Sequence, residues 1–187
     1  LSESSASVVA STFDGNSAGG DGGGVRAEGG DLGVSACLFI DNAAANGAAV
    51  HLFGDAIGDL GHVTAVGNAA STGGTVRVTA QAKLLLTDSI VAFPAAGSAV
   101  SVAGGAAWTV RYSDVFSTTG AEYSGIDDQE GVNGNLSGNP TFSAYGADGV
   151  YDGDGLLLAI GSPCIDVADP EGSPDPDGSL PDMGAWG

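Results

Sequence analysis

The stretches "STFDGNSA" (11–18), "CLFIDNAA" (37–44) and "VTAVGNAA" (63–70) decide how this chain is read. Written under one another they place Asn16, Asn42 and Asn68 in one column, 26 residues apart at each step. One more step lands on Pro94, in "IVAFPAAG". Three residues before these positions stand Phe13, Phe39, Ala65 and Val91, all apolar. A second column runs through "GGVRAEG", "AAVHLFG", "GTVRVTA" and "SAVSVAG", with Val25, Val50, Val76 and Val100 in register. Two residues further on sit Ala27, Leu52, Val78 and Val102. A period of two marks strands with these residues on one face. A third strand per repeat is visible in "GVSACLF", "LLLTDSIV" and "TVRYSDVF".

Each repeat therefore holds two or three short strands with glycine-rich corners. A βαβ unit needs about 30 residues or more, which this period does not provide, and no helical periodicity separates the strands. Strands that each stack on their equivalent one turn below satisfy the pattern, with inward side chains in columns. The expected fold is all-β: a right-handed parallel β-helix (solenoid) of about five to six rungs with an irregular C-terminal cap. The competing β-sandwich does not require equal spacing between equivalent residues. Residues 1–134 read as rungs and a loop, and residues 135–187 as a final rung and capping segment of the same domain. "LLLAI" (156–160) is the expected last strand. The proline- and aspartate-rich end, "SPCIDVADPEGSPDPDGSLPDMGAWG", is expected to wrap the open end of the coil, pinned by Met183 and Trp186.

Composition agrees. Glycine contributes 33 of 187 residues, while aromatics are only 6%, so the core is built from Val, Ala, Leu and Ile. Net charge is −19 with only four Lys and Arg, which argues against nucleic acid and anionic membranes as partners. No apolar run reaches membrane-spanning length, so no membrane insertion is expected. The chain starts at Leu1 without a basic-then-apolar leader, as a processed chain or a fragment would. Cys37 and Cys164 lie too many rungs apart to meet, at about 4.8 Å per stacked strand, so no disulfide is expected between them.

"FDGNSA…GGGV" and "FIDNAA…GAAV" resemble the Phe-x-x-Asn and Gly-Gly-Ala-Ile type repeats of polymorphic outer-membrane-protein-like β-helices. "VRYSDVF", "GNLSGNPTF" and "LLLAIGSPCIDVADP…DPDGSLPDMGAWG" resemble, in order, the C-terminal end of secreted bacterial right-handed β-helix proteins of the choice-of-anchor Q type. The resemblance implies an extracellular or cell-surface location rather than a reaction.

Acidic clusters are the strongest chemical signal. Asp148, Asp152 and Asp154 lie in "DGVYDGDG", and Asp175, Asp177 and Asp182 in "DPDGSLPD". Asp-x-Asp-Gly puts two carboxylates on one side of a tight turn, as a hard cation requires, and aspartate is equally a turn former. No cofactor is required, and Ca2+ is a possible ligand. The column of Asn16, Asn42 and Asn68 suggests a hydrogen-bonded ladder, although asparagine is also a common corner residue. Arg26, His51 and Arg77 share another column, either as solvated outward positions or as a strip facing an acidic neighbour. Asp88 and Asp114 are isolated outward carboxylates. No nucleophile motif, histidine-rich metal set or phosphate loop is present, so an enzyme is not expected.

The leading expectation is an extracellular structural protein that acts by self-assembly, in a filament or surface layer, or by adhesion. Its partner is another copy, contacted head to tail or laterally, through Val8, Val9, Arg26, His51, Arg77 and Trp186. The alternative is a β-helix that binds or processes polysaccharide, which would need Trp108, Tyr112 and Tyr123 to line an open groove.

Overall fold

The computed structural model describes residues 4–143 and 156–186. Fourteen strands and no helix are found there, and the strands stack in parallel as a β-solenoid of five coils. The first coil is β1 (Ser5–Val9), β2 (Thr12–Asp14) and β3 (Val25–Glu28); the second is β4 (Asp31–Ile40), β5 (Ala43–Ala44) and β6 (Val50–Phe53). The third is β7 (Ile57–Val66) and β8 (Ala69–Val78), and the fourth β9 (Lys83–Thr87), β10 (Ile90–Ala92) and β11 (Ala96–Val102). The fifth is β12 (Ala107–Arg111), β13 (Asp114–Phe116) and β14 (Tyr123–Ser124). Residues 133–136 begin a further turn: Tyr112 N donates to Asn133 O and Val115 N to Leu136 O.

Two sheets result, one built on β1-β4-β7-β10-β13 and the other on β14-β11-β8-β6-β3. Strand register turns the sequence period into stacked columns. Val8, Val34, Leu60, Leu86 and Val110 form one, and Val25, Val50, Val76, Val100 and Tyr123 another. Phe13, Phe39, Ala65, Val91 and Val115 form a third. Burying each of these larger side chains contributes about 1.5–3 kcal/mol. Gly58 is the exception that the packing requires: a Cβ there would sit 2.4 Å from Leu52 Cδ1.

Corners repeat as faithfully as the core. Ala10, Ala36, His62, Asp88 and Tyr112 all have φ between 46° and 51°, and they occupy equivalent places in the five coils. This left-handed conformation bends the strand sharply. Gly15, Asp41, Gly67 and Phe93 do the same at the next corner.

The tail does not take the expected place over the end of the coil. Among the described residues Leu158 forms an antiparallel bridge with Phe142, and no stacked strand covers 156–160. The segment from Ser162 onward runs back along the outside of the first sheet. Its Cys164, Ala168, Met183 and Ala185 pack against Leu38, Ile40, Val66, Ile90 and Ala92 in a second core. Gly184 N donates to Asp88 O, Ala185 N to Thr64 Oγ1, and Asp169 N to Asp88 Oδ1. The physical reason lies in β4, β7 and β10, whose outward residues at these positions are apolar and need covering. We call the segment the strap.

Candidate functional site

Three polar constructions and one open face stand out. Asn16, Asn42 and Asn68 follow a stretch in which the chain turns out of the first sheet, so their side chains point along the stack. Asn16 N and Nδ2 both donate to Asn42 Oδ1, at 3.0 and 2.9 Å. Asn42 N and Nδ2 donate in the same way to Asn68 Oδ1, each at 3.0 Å. The amides also reach back one coil, Asn42 Nδ2 to Phe13 O and Asn68 Nδ2 to Phe39 O. Asn42 and Asn68 are fully buried, whereas Asn16 is exposed. Pro94 ends the series because it carries no amide.

A second ladder, unread in the sequence, climbs the neighbouring corner. Ser89 Oγ accepts from Val63 N, Ser113 Oγ from Ser89 N, and Asn135 Oδ1 from Ser113 N. Its signal was a small polar residue directly after the left-handed corner residue in successive coils.

The first coil carries the open face. Among the described residues β1 pairs only with β4, and β3 only with β6. Val8, Phe13 and Val25 are half-buried, while their equivalents Val34, Phe39 and Val50 are buried. The Phe13 ring lies flat on Phe39, with centroids 4.7 Å apart and planes 3° from parallel. Val9 is exposed at the edge. Nothing among the described residues donates to Asn16 Oδ1.

The column of Arg26, His51 and Arg77 is in register, yet it is not a free basic strip. Arg26 pairs with Glu28 at 2.9 Å and lies over the Phe53 ring, and Arg77 donates to Ser101 Oγ at 2.6 Å. His51 is only 3% exposed. Its Nε2 lies 3.1 Å from Thr79 Oγ1, and its Nδ1 lies 3.5 Å from Asp21 Oδ2 without hydrogen-bond alignment. Burial lowers its pKa, opposed by Asp21 and assisted by Arg26 and Arg77, so the neutral ring is favoured.

Asp148, Asp152 and Asp154 lie outside the described residues. Asp175, Asp177 and Asp182 are described, but their hydrogen bonds shape the strap. Asp177 Oδ1 accepts from Ser179 N and Oγ, which lowers its pKa, and Asp182 Oδ1 accepts from Asp166 N. Among the described residues no three His, Cys, Asp or Glu side chains gather closely enough to hold a metal ion. Trp186 is half exposed, so Met183, fully buried, is the strap's pin.

Asp114 faces outward from β13, in register with Ile90, but it is not exposed: the strap covers it and it is completely buried. Its Oδ1 accepts from Gly138 N at 2.9 Å and its Oδ2 from the Cys164 thiol at 3.4 Å. Burial pushes its pKa up to about 6 despite these bonds, with Glu122 adding repulsion. Burial and Asp114 likewise push the Cys164 thiol far above its ordinary value. Cys37 and Cys164 are both free and buried. Trp108 and Tyr123 pack on the main core and Tyr112 on the second, so the three do not form one exposed platform.

Comparison with known proteins finds no matching family model, no matching curated protein and no matching solved structure.

Proposed function

We propose that this chain is a structural β-solenoid that works by coil-on-coil assembly, its first coil receiving a coil of the same repeat from another copy. The observation that carries this reading is the state of the first coil. Among the described residues its inward side chains are half-buried where the next coil's are buried, nothing donates to Asn16 Oδ1, and its strands pair on one side only. Unpaired edge N–H and C=O groups are a template for further strands. Such a contact joins unlike surfaces and so grows into rings or open filaments. The resemblance of the repeats and of the C-terminal stretch to secreted and surface β-helices of the choice-of-anchor Q type supports an extracellular or cell-surface setting. The buried His51 and the engaged arginines argue for end-to-end rather than lateral contact.

Light scattering across a concentration series tests the proposal. The mass should rise with concentration, and Val8→Asp should hold the chain monomeric with an unchanged circular dichroism spectrum. A monomer at all concentrations, with β1 amides exchanging freely, would overturn it.

A further inference from the structure

The strap closes over a single carboxyl of the coils' outer flank. Asp114 stands in β13 beside Ile90 of β10, and the strap's Cys164 lies on it, both completely buried. Gly138 N donates to one oxygen and the thiol, a weak donor, to the other. Among the described residues no cation reaches it: Arg26 pairs with Glu28, His51 faces Asp21 and Arg111 pairs with Asp169. The ionisable groups around it are Glu122 and Tyr123 at β14, and Cys164 with Asp182 behind it in the strap. β10, β11 and the 133–138 turn bring none. A carboxylate buried with one strong hydrogen bond and no counter-charge is costly to ionise.

Of the two elements that clamp Asp114, the strap is the one that yields. Gly138 follows Leu136, whose backbone is bonded to Ser113 and Val115 of the fifth coil. The strap is held by Gly184 N on Asp88 O, Ala185 N on Thr64 Oγ1, Asp169 N on Asp88 Oδ1 and the apolar contacts of the second core. Leu136, Gly138 and the strap's Pro163 line a cleft of about 240 Å3, so solvent stands at the seam between turn and strap. We infer that Asp114 is a proton-operated latch: neutral, it keeps the strap closed on the coils, and ionised, it makes the strap open more often. Burial raises its pKa from 3.8 to about 6 in the closed form. Closure therefore has its full support below the ordinary value and loses it as pH rises through about 6. Across that range the closed-to-open ratio falls about a hundredfold. The second core does not titrate, so the closed strap stays the main form and the proton sets how often it opens. Each opening bares Leu38, Ile40, Val66, Ile90 and Ala92. The latch acts on the flank of the coils and does not rest on the first-coil reading.

The test is native-state hydrogen exchange of the whole chain, followed by NMR at pH 4.5 and pH 7 and corrected for the intrinsic rate. The strap amides of Ala168, Met183, Gly184 and Ala185 should be at least about tenfold less protected than those of Leu60 and Val76 in the third coil at either pH. Their protection should fall about twentyfold from the lower pH to the higher. Asp114→Asn, which keeps the shape and cannot ionise, should remove that fall. Cys164→Ser puts a better donor on the carboxylate and should move the midpoint of the fall to lower pH. Strap amides as well protected as the third coil would overturn the latch, because only global unfolding would then expose them. So would a fall that persists in Asp114→Asn, which would assign it to Glu122 or Asp182, or a midpoint unmoved by Cys164→Ser.

Discussion

Replacing the ladder asparagines one at a time by alanine should give a graded loss of stability that follows burial rather than residue type. Asn68 makes four ladder bonds: it accepts from Asn42 N and Nδ2, and it donates to Phe39 O and Val66 O. Val66 O keeps a second donor in Asp41 N, and Asn42 Nδ2 keeps Phe13 O. Asn42 N loses its partner inside the protein. At about 1 kcal/mol per net bond and about 1–3 for a stranded buried group, Asn68→Ala should cost about 3–4 kcal/mol. Asn42→Ala removes as many bonds, but two of them serve the exposed Asn16, which water can re-solvate. Its cost should be about 2–3 kcal/mol. Asn16→Ala loses one bond, from Nδ2 to Asn42 Oδ1 at the exposed end, while its backbone N–H keeps its own, and it should cost under about 1 kcal/mol. Urea unfolding followed by circular dichroism measures this directly. With a slope of about 3 kcal/mol per molar urea, Asn68→Ala should lower the midpoint by about 1 M. Equal losses for the three variants, or a larger loss for Asn16→Ala, would refute the reasoning from buried partners.

Stability should fall as pH rises through the range from about 4 to about 6. The Asp114 carboxyl has its pKa raised from 3.8 to about 6 on folding. The protonated form is therefore favoured in the native state, and its full contribution is present below the unfolded value and lost above the folded one. Two pKa units correspond to about 3 kcal/mol at most, and Asp114→Asn should flatten the slope in melts run between pH 4 and pH 7.5. Ala36→Gly should stabilise the chain by up to about 1 kcal/mol, because Ala36 sits at φ 51°, where glycine is unstrained; a lower melting temperature would contradict this. Both cysteines are buried and free, so a thiol reagent should react with neither in the native protein and with both after denaturation. An intact mass two protons lighter under non-reducing conditions would defeat that expectation.

The inward columns were legible because each contributing residue must return to the same place after every turn, and that constraint writes the period into the sequence. The asparagine spacing came from the same source. The strap left no period, since Cys164, Ala168, Met183 and Ala185 are irregularly spaced and touch coils far away in the chain. Half of its signal was nevertheless present. In "CLFI" (37–40) all four residues are apolar, although Cys37 and Phe39 alone face the main core. A strand that is apolar on both faces is covered on both. The corners were obscure for another reason: Asp88, Phe93 and Tyr112 hold a backbone conformation usually reserved for glycine, and stacking on equivalent corners imposes it.

Coils in a solenoid touch only their neighbours, so such a structure ordinarily grows turn by turn, and a break in one turn is felt mainly by the next. The strap changes the order of events. Ala185 meets Thr64 across 121 residues, and Asp169 meets Asp88 across 81. During synthesis the coils emerge and can stack while these closing residues are still in the ribosome. Leu38, Ile40, Val66, Ile90 and Ala92 then face water until the strap has emerged. The strap thus converts a row of successive turns into one cooperative body, and a nascent chain interrupted before Met183 would expose an adhesive flank along its length.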